Sequence, residues 1–162
     1  MHKTSTVHTV LLSGALVLSA GCAKQLPVAE VEGVVKAGGK PLPRIRIQFY
    51  PDPHKKTLGP VSAAATDDEG RFKLLCADER MGAIVGWNRI VMTDMNVSLR
   101  RPERHGRRDD EERLLAFKVP PTRIPEKYTS PEATPLSIEI KPEKQHLEFE
   151  VKKQEITFEV SK

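Results

Sequence analysis

The chain has two cysteines, and their surroundings suggest different roles. Cys22 follows a short apolar run, whereas Cys76 closes the segment Phe72–Cys76, in which alternate residues are apolar. In an oxidising compartment the two thiols could form a disulfide. If they do not, we expect Cys76 to be a small buried apolar residue, because no histidine lies nearby in sequence to activate its thiol.

The histidines form no recognisable catalytic pattern. They are His2, His8, His54, His105 and His146. Acyl transfer would require a serine or cysteine nucleophile together with a base and an orienting acid. The sequence also contains no HExxH, no paired-cysteine zinc pattern, no Walker phosphate loop and no GxSxG elbow. We therefore expect that the chain is not an enzyme and has no cofactor and no metal site.

An acidic turn, Asp67, Asp68 and Glu69 before Gly70, raises the question of calcium binding. The EF-hand spacing does not fit, because a glycine at the sixth loop position would put Cys76 at the twelfth, where a glutamate is needed. We instead predict a hairpin turn in which Asp67 accepts hydrogen bonds from nearby backbone and Gly70 adopts a positive φ.

The segment Met95–Val119 lacks strand alternation and is predicted to be a charged insertion. Its stretch RRPERHGRRDDEERLLAFK holds seven basic residues and five acidic ones, with no aromatic residues among the arginines. The whole chain has a net charge of only +4. Because acids lie beside the bases, we expect no nucleic-acid binding.

Residues 1–21 have the layout of a signal peptide. A polar start precedes Val10–Leu18, an apolar run of nine residues, and small residues follow it. A helix that crosses a bilayer needs about 20 apolar residues, so this run is too short to remain as a membrane span. We expect a signal-peptide helix that export removes.

The segment LSAGC, Leu18–Cys22, resembles the lipobox of bacterial lipoproteins, although Ser19 stands where that family usually carries leucine. The resemblance implies cleavage before Cys22, diacylglycerol on its sulfur and usually an acyl group on the new N-terminus. Residues 22–27 would then be a lipidated tether. The implied location is the cell envelope, on the inner or outer membrane through the lipid anchor. The alternative is an ordinary secretory signal that leaves Cys22 as a free thiol.

The remaining chain, residues 28–162, has the pattern of short strands separated by turns. Its many breakers (13 prolines and 10 glycines in the whole chain) disfavour a helical bundle. Strands are predicted at Val31–Lys36, Arg44–Tyr50, Val61–Thr66, Phe72–Cys76, Trp87–Thr93, Leu136–Lys141, His146–Lys152 and Glu155–Val160. Their alternation predicts an all-β, antiparallel sandwich of about seven to eight strands, transthyretin-like or immunoglobulin-like.

Three stretches, Val31–Pro51, Thr66–Leu74 and Gly82–Thr93, resemble carboxypeptidase-regulatory-like domains of the transthyretin-like superfamily. Ile124–Pro142 is similar to the tail of small bacterial lipoproteins that bear this domain. The resemblance implies an exported seven-stranded sandwich without catalytic residues. The leading hypothesis is a membrane-anchored structural or interaction module that contacts an unknown envelope protein or glycan through the loop Pro51–Pro60 and the insertion.

The alternative function is a glycan- or peptide-binding envelope protein. Such a protein would need exposed aromatic side chains, and the aromatics other than phenylalanine are Tyr50, Trp87 and Tyr128. We expect Trp87 to serve packing rather than ligand binding.

Overall fold

Strands are the main secondary structure of the protein, whose computed structural model describes residues 25–98 and 121–161. They are β1 (Val28–Ala29), β2 (Val31–Ala37), β3 (Lys40–Pro41), β4 (Ile45–Pro51), β5 (Ser62–Ala65), β6 (Arg71–Lys73), β7 (Leu75–Cys76), β8 (Ala83–Ile84), β9 (Gly86–Asp94), β10 (Ser137–Ile140), β11 (Gln145–Val151) and β12 (Ile156–Ser161). One α-helical turn, α1 (Met95–Ser98), and two 3-10 helices, Pro53–Lys55 and Glu126–Tyr128, complete the described elements. The predicted signal-peptide helix, Cys22 and most of the charged insertion lie outside the described residues.

Two sheets form the sandwich. The first has the order β10-β9-β4-β5-β7. The second has the order β12-β11-β2, with β3 and β6 both pairing to the far edge of β2. A small third pairing joins β1 to β8. The predicted all-β sandwich is confirmed.

The core lies between the two sheets and is built by alternation within the strands. In β4, Ile45, Ile47 and Phe49 are fully buried, while Arg46 on the other face is exposed. On the opposing sheet, Phe149 of β11 is fully buried and contributes a ring to the same core. Burial of one face and solvation of the other is what a period of two requires in a sandwich.

The structure adds two details to the predicted fold. The described residues hold twelve strands rather than about seven or eight, because several two-residue pairings are too short to show periodicity. The sheets are also not purely antiparallel, since β11 pairs with β2 in parallel along seven residues. Gly33 permits this close pairing: a Cβ there would lie 2.0 Å from the carbonyl oxygen of Leu147.

The predicted strand Phe72–Cys76 changes sheet along its length. Its first part, β6, pairs with β2 of the second sheet, and its last part, β7, pairs with β5 of the first. Between them the amide of Leu74 donates to Val31 O at 3.0 Å. Phe72, Leu74 and Cys76 are all buried, so the predicted apolar face is confirmed even though the strand is divided.

No helix within residues 25–98 or 121–161 combines the length and apolar character needed to cross a membrane.

Candidate functional site

The loop after β4 folds into a compact turn. Asp52 caps the 3-10 helix Pro53–Lys55, its Oδ1 accepting the His54 amide at 3.0 Å. Proline at the first helical position suits the fixed φ of a helix start. Lys56 ends the turn with φ 60°, a left-handed conformation. The loop therefore has a defined shape that presents Lys55 and Lys56 to the surface.

This loop is hydrogen-bonded to the start of β9. The amide of Asp52 donates to Trp87 O at 2.9 Å, and the amide of Trp87 donates to Thr57 Oγ1 at 2.8 Å. Gly86, with φ +117°, allows the close approach, because a Cβ there would lie 2.6 Å from Thr57 Oγ1. Both ends of the loop are thus fixed against the same strand residue.

Trp87 lies on the outer face of the first sheet and is half-buried beneath Lys55. The Lys55 ammonium is 3.4 Å from the centre of the Trp87 ring and 3.3 Å from Ser137 Oγ. A cation over an indole face is attracted by the ring's negative π surface. Trp87 therefore packs, as the sequence predicts, but against a surface lysine and not in the core.

Arg89, two residues along β9 on the same outer face, makes two polar contacts. Its Nε lies 3.3 Å from Asp52 Oδ2, and its Nη1 donates to Pro131 O at 3.0 Å. Burial of Asp52 acts to raise the pKa of its carboxyl, but the hydrogen bonds from Arg89 and the His54 amide outweigh it and the pKa is lowered. Asp52 is therefore a carboxylate that orients Arg89.

Tyr50 stands directly opposite Arg89 in the β4–β9 ladder and is half-buried. We call the four side chains Tyr50, Lys55, Trp87 and Arg89 the aromatic-basic face. Two π surfaces beside two cations can stack on planar or sugar rings and bind anionic groups. Neither Lys55 nor Arg89 belongs to a recognisable motif. Lys55 lies in a loop, and the signal for Arg89 is the alternation of β9, which places it on the same face as Trp87.

An ion pair between Asp94 and Arg123 joins the two segments that flank the charged insertion. Asp94, at the end of β9 and only 2% exposed, accepts from Arg123 Nε at 2.7 Å and from Nη2 at 2.7 Å. The amides of Arg123 and Asn96 add hydrogen bonds of 3.1 and 3.0 Å. Burial acts to raise the pKa of Asp94, yet the Arg123 hydrogen bonds outweigh it and the pKa is lowered. The chain on either side of the insertion is therefore held together.

The two histidines among the described residues lie beside different sheets. His54 lies in the loop beside the first sheet, and His146 lies on the outer face of β11 in the second. His105 and the lipidation residue Cys22 lie outside the described residues. Tyr128 is buried, and its hydroxyl accepts the Ile156 amide at 2.9 Å, so it cannot be a surface platform. Tyr50 and Trp87 are the remaining aromatic candidates.

Cys76 is 1% exposed at the end of β7, as expected for a small apolar residue, with its sulfur 3.9 Å from Pro60 O. It forms no disulfide with any described residue. Because Cys22 is not among them, a bond between the two cysteines is not tested.

The acidic turn has the predicted local geometry, but it is not a hairpin turn, because it joins β5 of the first sheet to β6 of the second and these two strands do not pair. Asp67 Oδ1 accepts the amides of Glu69 and Arg71 at 3.0 and 2.7 Å, and Gly70 has φ +73°. Among residues 25–98 and 121–161, no three His, Cys, Asp or Glu side chains are grouped as a metal ion would require.

Comparisons with protein-family models, with curated proteins and with solved structures find no match to this chain.

Proposed function

We propose that the chain is a membrane-anchored envelope lipoprotein whose β-sandwich serves as a non-catalytic interaction module. The anchor is supported by the apolar run and the segment LSAGC, which end at Cys22. The single observation that carries the proposal is the distance along the chain from this cysteine to the fold. Strand β1 begins at Val28, six residues later, and six extended residues span at most about 22 Å. An acylated Cys22 would hold the sandwich against the bilayer.

Intact-mass analysis of the membrane-extracted protein tests the anchor. We expect a chain that begins at residue 22 and carries the added mass of acyl chains. The matched variant Cys22→Ser should lack that mass and stay with its signal peptide, because lipidation precedes cleavage at a lipobox. Wild-type protein recovered in the soluble fraction, without added mass, would contradict the proposal.

The proposed contact surface is the aromatic-basic face. Rigid aromatic side chains and arginine are enriched at protein interfaces, since they contribute large contact area with little loss of conformational entropy. Here Arg89 is oriented by Asp52, and Lys55 is held over Trp87. The face is therefore preorganised before any partner binds.

Photo-crosslinking in intact cells tests this surface. Glu139 is exposed on β10, directly opposite Trp87, and is a position for p-benzoylphenylalanine. Glu148, exposed on β11 of the other sheet, is the matched control position. We expect a discrete adduct from position 139 and none from position 148. Adducts that are absent at both positions, or equal at both, would refute the surface.

A second candidate function is glycan or peptide binding at the same face. Trp87 and Tyr50 favour it, because they share one side of the sheet and both residues are half-buried rather than buried. Titration of the protein with envelope polysaccharides, followed by the fluorescence of its single tryptophan, tests it. A saturable change that Tyr50→Ala abolishes would support glycan binding, and the absence of any saturable change would exclude it.

A further inference from the structure

Four exposed apolar side chains lie on segments that meet where the N-terminal chain joins the sandwich. Among the described residues, five large hydrophobic side chains are exposed, and four of them are Leu26 (41%), Leu58 (64%), Leu75 (47%) and Met81 (52%). We call these four the apolar end. Exposed apolar residues are ordinary when scattered singly, but a group of them marks a surface that contacts another apolar phase.

The three segments that carry these side chains are bonded to one another. The Ala77 amide donates to Val61 O at 2.9 Å, which joins the segment of Leu75 and Met81 to that of Leu58. Arg80 donates through Nη1 to Leu26 O. The Val85 amide donates to Pro27 O at 3.0 Å. The apolar end is therefore part of the folded body and not a set of independent loops.

Leu26 itself packs onto this body. A Cβ on Gly59 would lie 3.1 Å from Leu26 Cδ1 and 2.9 Å from Ile84 Cγ1, so the backbone at Gly59 sits against both side chains. Strand β1, which follows directly, pairs with β8. The direction in which the chain leaves the sandwich toward Cys22 is thus fixed at the apolar end.

We propose that the apolar end rests on the lipid surface of the membrane. The inference depends on the proposed lipid anchor and specifies how the anchored body is oriented. Cys22 precedes Leu26 by four residues, a reach of at most about 14 Å. A diacylglyceryl group on Cys22 lies in the acyl layer, so Leu26 and its neighbours must lie at or near the interface. Lys56, on the same loop as Leu58, is exposed and suits anionic headgroups.

The turn between β2 and β3 then points away from the membrane. Strand β2 starts next to β1 and runs seven residues to Ala37, about 20 Å, before the Gly38–Gly39 turn. Lys40, exposed at the start of β3, is on that far end and provides a matched control position.

The test uses the acylated full-length protein in vesicles of phosphatidylethanolamine and phosphatidylglycerol. A fluorophore is attached through Leu58→Cys, Met81→Cys or Lys40→Cys, since Cys76 is buried and an acylated Cys22 has no free thiol. We expect brominated lipids to quench the labels at 58 and 81 but not at 40. We also expect quenching by aqueous iodide to fall about threefold or more at 58 and 81 relative to 40.

Each other outcome overturns the orientation. Labels at 58 and 81 that iodide quenches as strongly as the label at 40 would show an end facing water. Labels protected from iodide but unquenched by brominated lipid would show an end covered by protein, such as a second copy.

The double variant Leu58→Glu, Met81→Glu tests whether the exposed apolar side chains bring this end of the sandwich to the lipid. Both positions are more than half exposed, so the fold should be retained, and circular dichroism verifies it. We expect the acyl mass to remain while lipid quenching of a label at Leu75→Cys falls to the level at Lys40. Wild-type protein that carries no acyl mass would refute the anchor itself. Wild-type protein that carries the acyl mass but whose labels at 58 and 81 face water would refute only this orientation.

Discussion

Two buried carboxylates of this sandwich need a positively charged partner. Asp94 and Asp52 are 2% and 3% exposed, and each is opposed by an arginine, Arg123 and Arg89 respectively. A buried carboxylate without a partner is costly because it has lost its hydration. At the residue level, the two arginines therefore fix the segments from which they come, residues 121–136 before β10 and the strand β9.

Replacing Arg123 tests this account for the insertion. We expect Arg123→Ala to reduce the free energy of unfolding by about 2 to 3 kcal/mol, because Asp94 keeps only its backbone hydrogen bonds. The matched control is Arg71→Ala, which removes an exposed ion pair with Asp67 and should change stability little. Equal losses in urea unfolding for the two variants would contradict the account.

Asp78 gives a pH dependence with a definite sign. Its hydrogen bond from Arg80, with Nε at 2.9 Å, is the main reason that its pKa falls from 3.8 to about 2. Because the pKa is lower in the folded state, the contribution to stability is complete above about pH 4 and is lost as pH falls to 2. We expect the unfolding free energy of Asp78→Asn to vary less than that of wild type between these pH values in chemical denaturation. A slope unchanged by the substitution would contradict the assignment.

Only part of the candidate site could be predicted from single residues. The alternation of β9 places Trp87 and Arg89 on one face, and the sequence shows that pattern directly. The contact between Lys55 and Trp87 could not be predicted, because it depends on the left-handed turn at Lys56. No periodicity reports the shape of a loop.

Among the elements, β12 is hydrogen-bonded to the segment 121–136 that precedes β10. Tyr128 is buried, and its hydroxyl accepts the amide of Ile156, the first residue of β12. Tyr128→Phe would leave that buried amide without its partner and should cost about 1 to 2 kcal/mol. Tyr50→Phe, at a half-buried tyrosine on the sheet surface, is the control and should change the melting temperature little. Equal effects would show that the hydroxyl has no special role.

The parallel pairing of β2 with β11 depends on the glycine at position 33, which has no side chain. At Gly33 a Cβ would overlap Leu147 O, so Gly33→Ala must separate the two strands. We expect a loss of about 2 kcal/mol or more in thermal or urea unfolding. Val34→Ala on the outer face of the same strand should cost less than half as much. Tolerance of alanine at position 33 would contradict the observed register.

Most long strands could be predicted, while their partners could not. Alternating apolar residues locate β4, β10, β11 and β12 within one or two residues of the predicted bounds. The parallel neighbour of β2 is 114 residues away, by Val31 paired with Gln145, and nothing local specifies it. The change of sheet at Leu74 could not be predicted either, because the apolar alternation of Phe72, Leu74 and Cys76 continues across it without interruption.

At the scale of the whole molecule, the chain between Cys22 and the start of β1 at Val28 is very short. A sandwich on so short a tether cannot diffuse far from the surface that holds it. If Cys22 is acylated as we propose, the aromatic-basic face and the apolar end have fixed positions relative to the bilayer. Both proposals therefore depend on the chemical state of Cys22.

The most direct measurement is fragmentation mass spectrometry of the N-terminal peptide from membrane-extracted protein cleaved after glutamate. We predict a peptide that spans Cys22–Glu30, carries diacylglycerol on the cysteine and has no residues before it. An unmodified Cys22 within a longer peptide, or a Cys22 joined by a disulfide to Cys76, would contradict the account.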